Sequence, residues 1–73
     1  MEHTTYPPTD GRTLAERRRA AGVTQDEVAA RLTTTRQALG RLERNPAVSY
    51  IRTQRYLAAL AAEVKAKLPE SVA

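Results

Sequence analysis

The stretch TQDEVAARLTTTRQALGRLE, residues 24–43, decides how this chain folds. Thr24 and Glu27 stand at the spacing of a capping box, in which each side chain hydrogen-bonds the free backbone N–H of the other residue at a helix start. After this pair, Val28, Ala29 and Leu32 recur at helical spacing. Three consecutive threonines then interrupt the pattern, because β-branched hydroxyl residues favour caps over helix interiors. The stretch therefore predicts two short helices joined by a tight turn.

The second helix of this pair is predicted to have Thr35 as its N-cap and to span about residues 35–44. Its inward face is predicted to consist of Ala38, Leu39 and Leu42, and its outward face of Arg36, Gln37, Gly40, Arg41 and Arg44. In the major groove of DNA, arginine can bind guanine and glutamine can bind adenine through paired hydrogen bonds. We therefore expect this helix to read base pairs with Arg36, Gln37 and Arg41.

At these residues the chain resembles the helix-turn-helix of the Cro/repressor family, also called the XRE family. The resemblance rests on Gln25 and Ala29 in the first helix and on Leu39, Leu42 and Glu43 in the second. It extends upstream through LAERRRAAGVTQ and covers roughly residues 12–62. The family implies an all-α fold, here a small domain of four to five helices with the helix-turn-helix at its centre. It also implies double-stranded DNA as the partner.

The resemblance assigns further roles outside the base-reading residues. In similar repressors, contacts to the DNA backbone come from the positions that match Gln25, Thr35, Arg44 and Asn45. Two of these positions lie at helix N-termini, which suit phosphate binding. The arginine at the position of Arg18 pairs in such repressors with the acid at the position of Glu43. We therefore expect an ion pair of Arg18 and Glu43 to tie the first helix of the chain to the end of the DNA-reading helix.

Two residues depart from the family pattern. Thr33 stands where the family usually has a glycine in the turn, so we expect a strained or differently shaped turn. Gly40 stands in the middle of the DNA-reading helix, where glycine costs about 1 kcal/mol relative to alanine. Its missing side chain would allow the helix to approach the groove closely.

The composition narrows the function further. The chain has 73 residues, enough for one small domain, and a net charge of +4 with ten arginines among its twelve basic residues. Arginine-rich positive charge suits phosphate and guanine. With one histidine, no cysteine and scattered acids, the sequence contains no recognisable catalytic pair or metal-ligand cluster. We therefore predict no enzyme activity, no metal site and no cofactor. Without a long apolar run, a cytoplasmic protein is expected.

The flanking segments divide the chain into three predicted parts. These are a disordered arm at residues 1–9, the helix-turn-helix domain at residues 10–62, and a C-terminal segment at residues 63–73. The first helix is predicted to begin near Asp10 or Thr13 and to run to Ala21, followed by Gly22 as its left-handed C-terminal residue. Leu14 and Ala21 are expected to point inward.

The predicted fourth helix has Ser49 as its cap and spans roughly residues 50–61. Arg52 and Arg55 near its start are expected to lie toward the DNA. Residues 63–68 then alternate polar and apolar side chains, which favours a strand slightly over the helix that Ala, Glu, Lys and Leu also form well. The simplest partner for a lone strand is its own copy in a second subunit.

Two functions remain open from the sequence. The leading one is a repressor-like, sequence-specific regulator that binds a palindromic operator as a homodimer, because one short helix covers few base pairs. The dimer is expected to form through the C-terminal third, with Tyr56, Leu57, Leu60, Val64 and Leu68 as candidate contacts. The alternative is an antitoxin or adaptor that acts mainly through protein–protein contact, with a toxin as partner in the antitoxin case. The outward Arg36, Gln37 and Arg41 favour the first function.

Overall fold

The computed structural model describes residues 7–68, which form four α-helices. Their bounds are Gly11–Ala20 for α1, Gln25–Arg31 for α2, Arg36–Arg44 for α3 and Tyr50–Lys67 for α4. The prediction of a small all-α domain with a central pair of short helices is confirmed. In this part of the chain, none of the helices combines the length and the apolar character needed to span a membrane.

Each described helix begins after a residue whose side-chain oxygen accepts a backbone N–H. The four caps are Asp10, Thr24, Thr35 and Ser49. At Thr24 the capping box is complete: the Glu27 N–H donates to Thr24 Oγ1 at 3.2 Å, and the Thr24 N–H donates to Glu27 Oε1 at 2.8 Å. The predicted caps at Thr24, Thr35 and Ser49 are confirmed. For α1, Asp10 is the cap and Thr13 is not.

The hydrophobic core lies between all four helices. Its largest fully buried side chains are Leu14, Val28, Leu39, Val48 and Tyr56. α3 packs against α1 and α2, and α4 packs against the same two helices. Leu32, Leu42, Leu57 and Val64 extend the core at its margin, where they are partly buried. This packing presents one side of α3 to the core and leaves the other side open.

Three residues lie elsewhere than predicted. Ala38 and Ala21 are exposed, whereas Gly40 is buried. The buried residues of α3 are Leu39, Gly40 and Glu43, which share one face because residues three and four apart are neighbours on a helix. Ala38 is one residue, about 100°, away from Leu39 and falls outside this face. Ala21 follows the last helical residue of α1 and serves as its C-cap.

The chain joins the fold before α1 begins. Thr9 and Val48 form an isolated antiparallel bridge, with N–H···O distances of 2.9 and 2.8 Å. Two residues later, the Gly11 N–H donates to the Asn45 carbonyl at 2.8 Å. Thr9, the last residue of the predicted arm, is thus hydrogen-bonded to the domain. Residues 1–6 of the predicted arm lie outside the described residues.

The last helix is longer than predicted. α4 continues past residue 61 to Lys67, so the strand favoured for residues 63–68 is wrong. The continuing helix keeps Val64 against the core. It also forms two ion pairs with α2: Glu63 with Arg31, and Lys67 with Glu27 at 2.7 Å. Because α2 of the same chain provides these partners, residues 63–67 pack against the domain without a second subunit.

The same packing corrects the candidate dimer contacts. Tyr56 is fully buried and Leu60 is 7% exposed, so both side chains pack in the core of their own chain. Leu57 and Val64 are partly buried against the core. Among the five candidates, Leu68 is the one with a large exposed apolar surface.

The turn between α2 and α3 contains a strained residue where the family glycine is missing. Thr33 adopts a φ of +54°, in the left-handed region that β-branched residues disfavour. The turn is nevertheless closed, because the Thr33 N–H donates to the Ala30 carbonyl at 3.2 Å. Gly22, which follows α1, also has a positive φ, +71°, but glycine adopts this conformation without strain. The strain expected at Thr33 is confirmed.

Replacing Thr33 by glycine is expected to raise the free energy of unfolding by up to about 1 kcal/mol. Relief of the left-handed conformation, worth roughly 1–2 kcal/mol, exceeds the roughly 0.5–1 kcal/mol of chain entropy that glycine adds. Thr34→Gly is the matched control, since Thr34 is an exposed neighbour without a positive φ, and it is expected to lose stability. Urea denaturation measures both variants. Equal losses would contradict the strain.

Candidate nucleic-acid interface

A buried carboxylate holds α3 in the domain. Glu43, near the C-terminal end of α3, accepts hydrogen bonds from Arg18 Nε at 2.8 Å and Arg18 Nη2 at 3.2 Å. It also accepts one from the Gln25 side-chain amide at 2.9 Å and one from the Tyr56 hydroxyl. The structure thus brings Arg18 and Glu43 together, with side chains 9% and 5% exposed. Because the donors belong to α1, α2 and α4, all three helices hold α3 at one point.

The charges of this cluster follow from its contacts. Burial raises the pKa of Glu43, but hydrogen bonds from Arg18, Tyr56 and Gln25 outweigh it, so the pKa lies below its ordinary value. The hydrogen bond to Glu43 raises the pKa of Arg18. Burial, and then the hydrogen bond to Glu43, raises the pKa of Tyr56, whose hydroxyl stays protonated and donates. At neutral pH the cluster is an ion pair surrounded by neutral donors.

The outer face of α3 is exposed and rich in hydrogen-bond donors. Arg36, Gln37 and Arg41 are all exposed and border one shallow groove. Its other lining residues are Gln25, Gly40 and Arg44, so none of the described residues that line it is an acid. Asp26 lies near the edge, 3.9 Å from Arg36, but both side chains are largely exposed and such a contact is weak. This face can donate to guanine or phosphate oxygens.

A comparison with protein families shows what this pair of helices is. The sequence profile of a family described as helix-turn-helix matches residues 14–61, more than half of the chain. The chain belongs to the helix-turn-helix family. It is of the Cro/repressor type, and at this general level it is a DNA-binding regulator of transcription. Comparisons with curated proteins and with solved structures found no match.

The two motif helices are α2 and α3, and α3, as the second of them, takes the position that the helix-turn-helix motif calls the recognition helix. Gln25, at the start of α2, already donates one amide N–H to Glu43, which leaves its second amide N–H for another acceptor. Thr35 is exposed and caps the recognition helix by accepting the Ala38 N–H at 3.0 Å. Arg44 lies over Gly40, because a Cβ added to Gly40 would be 3.4 Å from Arg44 Nη1.

Asn45, the fourth residue expected at the DNA backbone, borders a different groove of the helix-turn-helix. Its side-chain oxygen accepts the Ala47 N–H at 2.9 Å, so it shapes the loop that follows the recognition helix. The groove that it lines lies between α3 and α4 and also contains Arg41, Arg52 and Arg55. Arg52 and Arg55, which were expected to lie toward the DNA, therefore lie beside Arg41 of the outer face of α3.

Proposed function

We propose that this helix-turn-helix protein is a sequence-specific, repressor-like regulator that binds palindromic operator DNA as a homodimer. The observation that carries the proposal is the outer face of α3, where Arg36, Gln37 and Arg41 are exposed around a groove whose described lining residues include no acid. DNA presents hydrogen-bond acceptors along its groove edges and anionic phosphates along its backbone. A surface of donors and cations is the chemical complement of that ligand.

The size and position of the recognition helix support base reading. An α-helix with its side chains is about 10–12 Å across, and the major groove is about 12 Å wide. Arg36 and Arg41 are proposed to bind guanine, and Gln37 is proposed to bind adenine. Discrimination between bases requires side chains on a rigid backbone. The hydrogen bonds that Glu43 accepts from α1, α2 and α4 fix the backbone of α3 in this way.

Selection of a bound site from random DNA, followed by binding measurements, tests the base-reading residues. Replacing Arg36, Gln37 or Arg41 by alanine is expected to cost about 1–3 kcal/mol on the selected site and less on random DNA. Arg17→Ala is the matched control, because Arg17 is an exposed arginine that borders none of the described grooves around α3. A loss of equal size on selected and random DNA would assign that residue to the backbone instead.

Contacts to the DNA backbone are proposed for Gln25, Thr35, Arg44 and Asn45. Such contacts position the protein without reading sequence, so their loss is expected to weaken selected and random DNA alike. For Arg44→Gln, the slope of log Kd against log salt concentration is expected to fall by about 0.9, the value for one phosphate. An unchanged slope would remove Arg44 from the interface.

The proposed homodimer rests on the small size of the recognition surface. α3 has nine residues, and one such helix contacts few base pairs. A two-fold axis would set two recognition helices about 34 Å apart, one DNA turn, and would require a palindromic site. The large apolar side chains that stay exposed in the described residues are Tyr50, Ile51 and Leu68, all on or directly after α4. We propose that the dimer forms along this helix.

Sedimentation equilibrium of the full chain tests the dimer. Ile51→Asp and Leu68→Asp each add a charge to an exposed apolar position, and the variant that weakens association locates the interface. Ala30→Asp adds the same charge to an exposed position on α2 and is expected to leave association unchanged. A wild-type monomer at concentrations well above those that saturate DNA would exclude the homodimer but leave base reading intact.

The antitoxin or adaptor alternative predicts a surface for a protein partner. Ile51 and Leu68 lie at opposite ends of α4, about 25 Å apart at the helical rise, so they do not form one apolar patch. The exposed face of α3 is the more specific feature, and it favours DNA. An electrophoretic assay in which the wild-type chain shifts neither genomic nor random DNA would favour the alternative.

A further inference from the structure

We propose that α1 carries an additional surface that binds the DNA backbone, formed by Arg12 and Arg19 and continued by Arg44. Its ligand is the phosphate strand that borders the major groove beside the recognition helix. The inference rests on the proposed DNA-binding function and extends the interface beyond the two helices of the motif.

The spacing of the α1 arginines assigns them to different sides of the helix. Arg18 turns inward and donates to Glu43. Successive residues of a helix are about 100° apart, so Arg17 and Arg19 lie on opposite flanks of Arg18. Arg12 precedes Arg19 by two helical turns and shares its flank. α1 therefore presents two arginines on one flank and Arg17 on the other.

The grooves of the structure show which flank faces the recognition helix. Arg12 and Arg19 border a groove that is also lined by Gln25, Gly40 and Arg44. These last three residues line the base-reading groove as well. The two grooves are therefore continuous, and the α1 arginines extend the surface that α3 presents to DNA.

The groove that Arg12 and Arg19 border, called the α1 groove from here on, has an excess of positive charge. Among residues 7–68, none of its three arginines, Arg12, Arg19 and Arg44, forms an ion pair. Two acids also line the groove. Glu43 is neutralised within its buried cluster, and Asp10 accepts the Arg12 backbone N–H at 3.0 Å as the cap of α1. An anionic strand in this groove would offset the uncompensated charge and release its own counterions.

The shape of DNA puts a phosphate strand where this groove lies. Because the recognition helix nearly fills the major groove, the two sugar-phosphate strands that wall it run directly beside α3. Ala38 and Leu42 of α3 line the groove between α3 and α4, whereas Gly40 and Glu43 line the α1 groove. At about 100° per residue these pairs lie on different flanks of α3. In the proposed complex, each flank of α3 therefore faces one sugar-phosphate strand. The groove beside α4 faces one strand, and the arginines of α1 contact the other.

Binding of selected and random DNA across a salt series tests this surface. Arg12→Gln and Arg19→Gln are each expected to weaken both DNAs by about three- to tenfold at 0.1 M salt, and to lower the salt slope by about 0.9. The double variant is expected to lower the slope by about 2. Arg17→Gln is the matched control: it makes the same change on the other flank of the same helix and is expected to change affinity by less than about twofold.

The outcomes separate this inference from the proposed function. A double glutamine variant that behaves like Arg17→Gln, with wild type still preferring the selected site, overturns the α1 surface alone. Wild type that binds neither DNA overturns the proposed function and this inference with it. Losses confined to the selected site would assign the arginines to base reading and overturn the backbone contact. Arg12→Lys and Arg19→Lys keep the positive charge and are expected to retain most of the wild-type salt slope. Circular dichroism checks that each variant folds.

Discussion

Replacing Glu43 by alanine is expected to lower the free energy of unfolding by about 3–5 kcal/mol. The substitution leaves the Arg18 guanidinium buried with the Val23 carbonyl, 3.0 Å away, and removes an acceptor from Gln25 and Tyr56. The loss exceeds the net contribution of the pair, because the remaining charge stays desolvated. At roughly 0.05–0.15 kcal/mol per residue, a domain of 73 residues has a total stability of about 4–11 kcal/mol. The loss is therefore a large fraction of the total stability, and the variant is expected to unfold at a much lower urea concentration than wild type.

An exposed ion pair in the same fold provides the control. Arg31, whose side chain is 40% exposed, pairs with Glu63, and Arg31→Ala is expected to cost less than about 1 kcal/mol. Urea denaturation of the single and double alanine variants of Arg18 and Glu43 gives the coupling energy of the buried pair. Strictly additive losses would show that the two residues do not act together and would contradict the role given to the pair.

The pKa of Glu43 gives this prediction a pH dependence. Burial raises that pKa, but the hydrogen bonds lower it further, to below the ordinary 4.5. The unfolded chain then binds more protons than the folded chain in this range, so stability rises with pH. The contribution is fully present above about pH 4.5 and is lost as pH falls through the folded-state pKa. Glu43→Gln is expected to show a shallower decline in acid than wild type.

Glu27 also contributes to the loss of stability in acid, and its contribution must be measured separately from that of Glu43. Hydrogen bonds from Lys67 and then from the Thr24 N–H lower the pKa of Glu27 from 4.5 to about 2. Part of the acid sensitivity between these pH values will therefore persist in Glu43→Gln. The Glu27→Gln variant measures that part.

The features that local sequence patterns predict correctly have local causes, whereas the pair of Arg18 and Glu43, 25 residues apart, is expected only from the resemblance to repressors. The two capping-box hydrogen bonds join Thr24 and Glu27, which are three residues apart, and involve nothing beyond one helical turn. The strain at Thr33 likewise follows from a residue type at a known position of a tight turn. Residues that determine each other within a few positions leave their signal in a single sequence, because the geometry of the turn alone relates them.

The features that the sequence predicts wrongly or omits depend on packing between helices. Residues 63–67 are helical and pair with α2 through Glu63 and Lys67, and the local alternation of side chains contains no sign of α2. The Gln25 and Tyr56 donors to Glu43 lie 18 and 13 residues away along the chain. The position of Arg19, and not Arg17, in the groove beside α3 has the same origin, since both are arginines on one helix and only the packing of α3 distinguishes them.

Gly11 is the packing residue with the least sequence signal. A Cβ built at Gly11 would lie 2.2 Å from the Leu42 carbonyl oxygen and 2.8 Å from the Asn45 carbonyl oxygen. These are backbone atoms, which cannot rotate aside as the end of a side chain can. The Gly11 N–H also donates to the Asn45 carbonyl at 2.8 Å. The start of α1 therefore lies directly against the end of α3, at a distance that only glycine allows.

Gly11→Ala is accordingly expected to lower the free energy of unfolding by about 3 kcal/mol, from roughly 1–3 kcal/mol of overpacking and about 0.5–1.5 kcal/mol for the strained hydrogen bond. Gly40→Ala is the matched control. Its new Cβ would meet only movable side-chain ends, the nearest being Arg44 Nη1 at 3.4 Å, and higher helix propensity can raise stability by up to about 1 kcal/mol.

Thermal and urea denaturation of the two glycine variants compare these effects directly. If Gly11→Ala proved as stable as Gly40→Ala, the close approach of α1 to α3 would be wrong. The backbone shift that Gly11→Ala forces would move the end of the recognition helix relative to α1. The molecules that still fold are therefore expected to bind the selected DNA site more weakly than wild type, although Gly11 itself is buried away from the base-reading face.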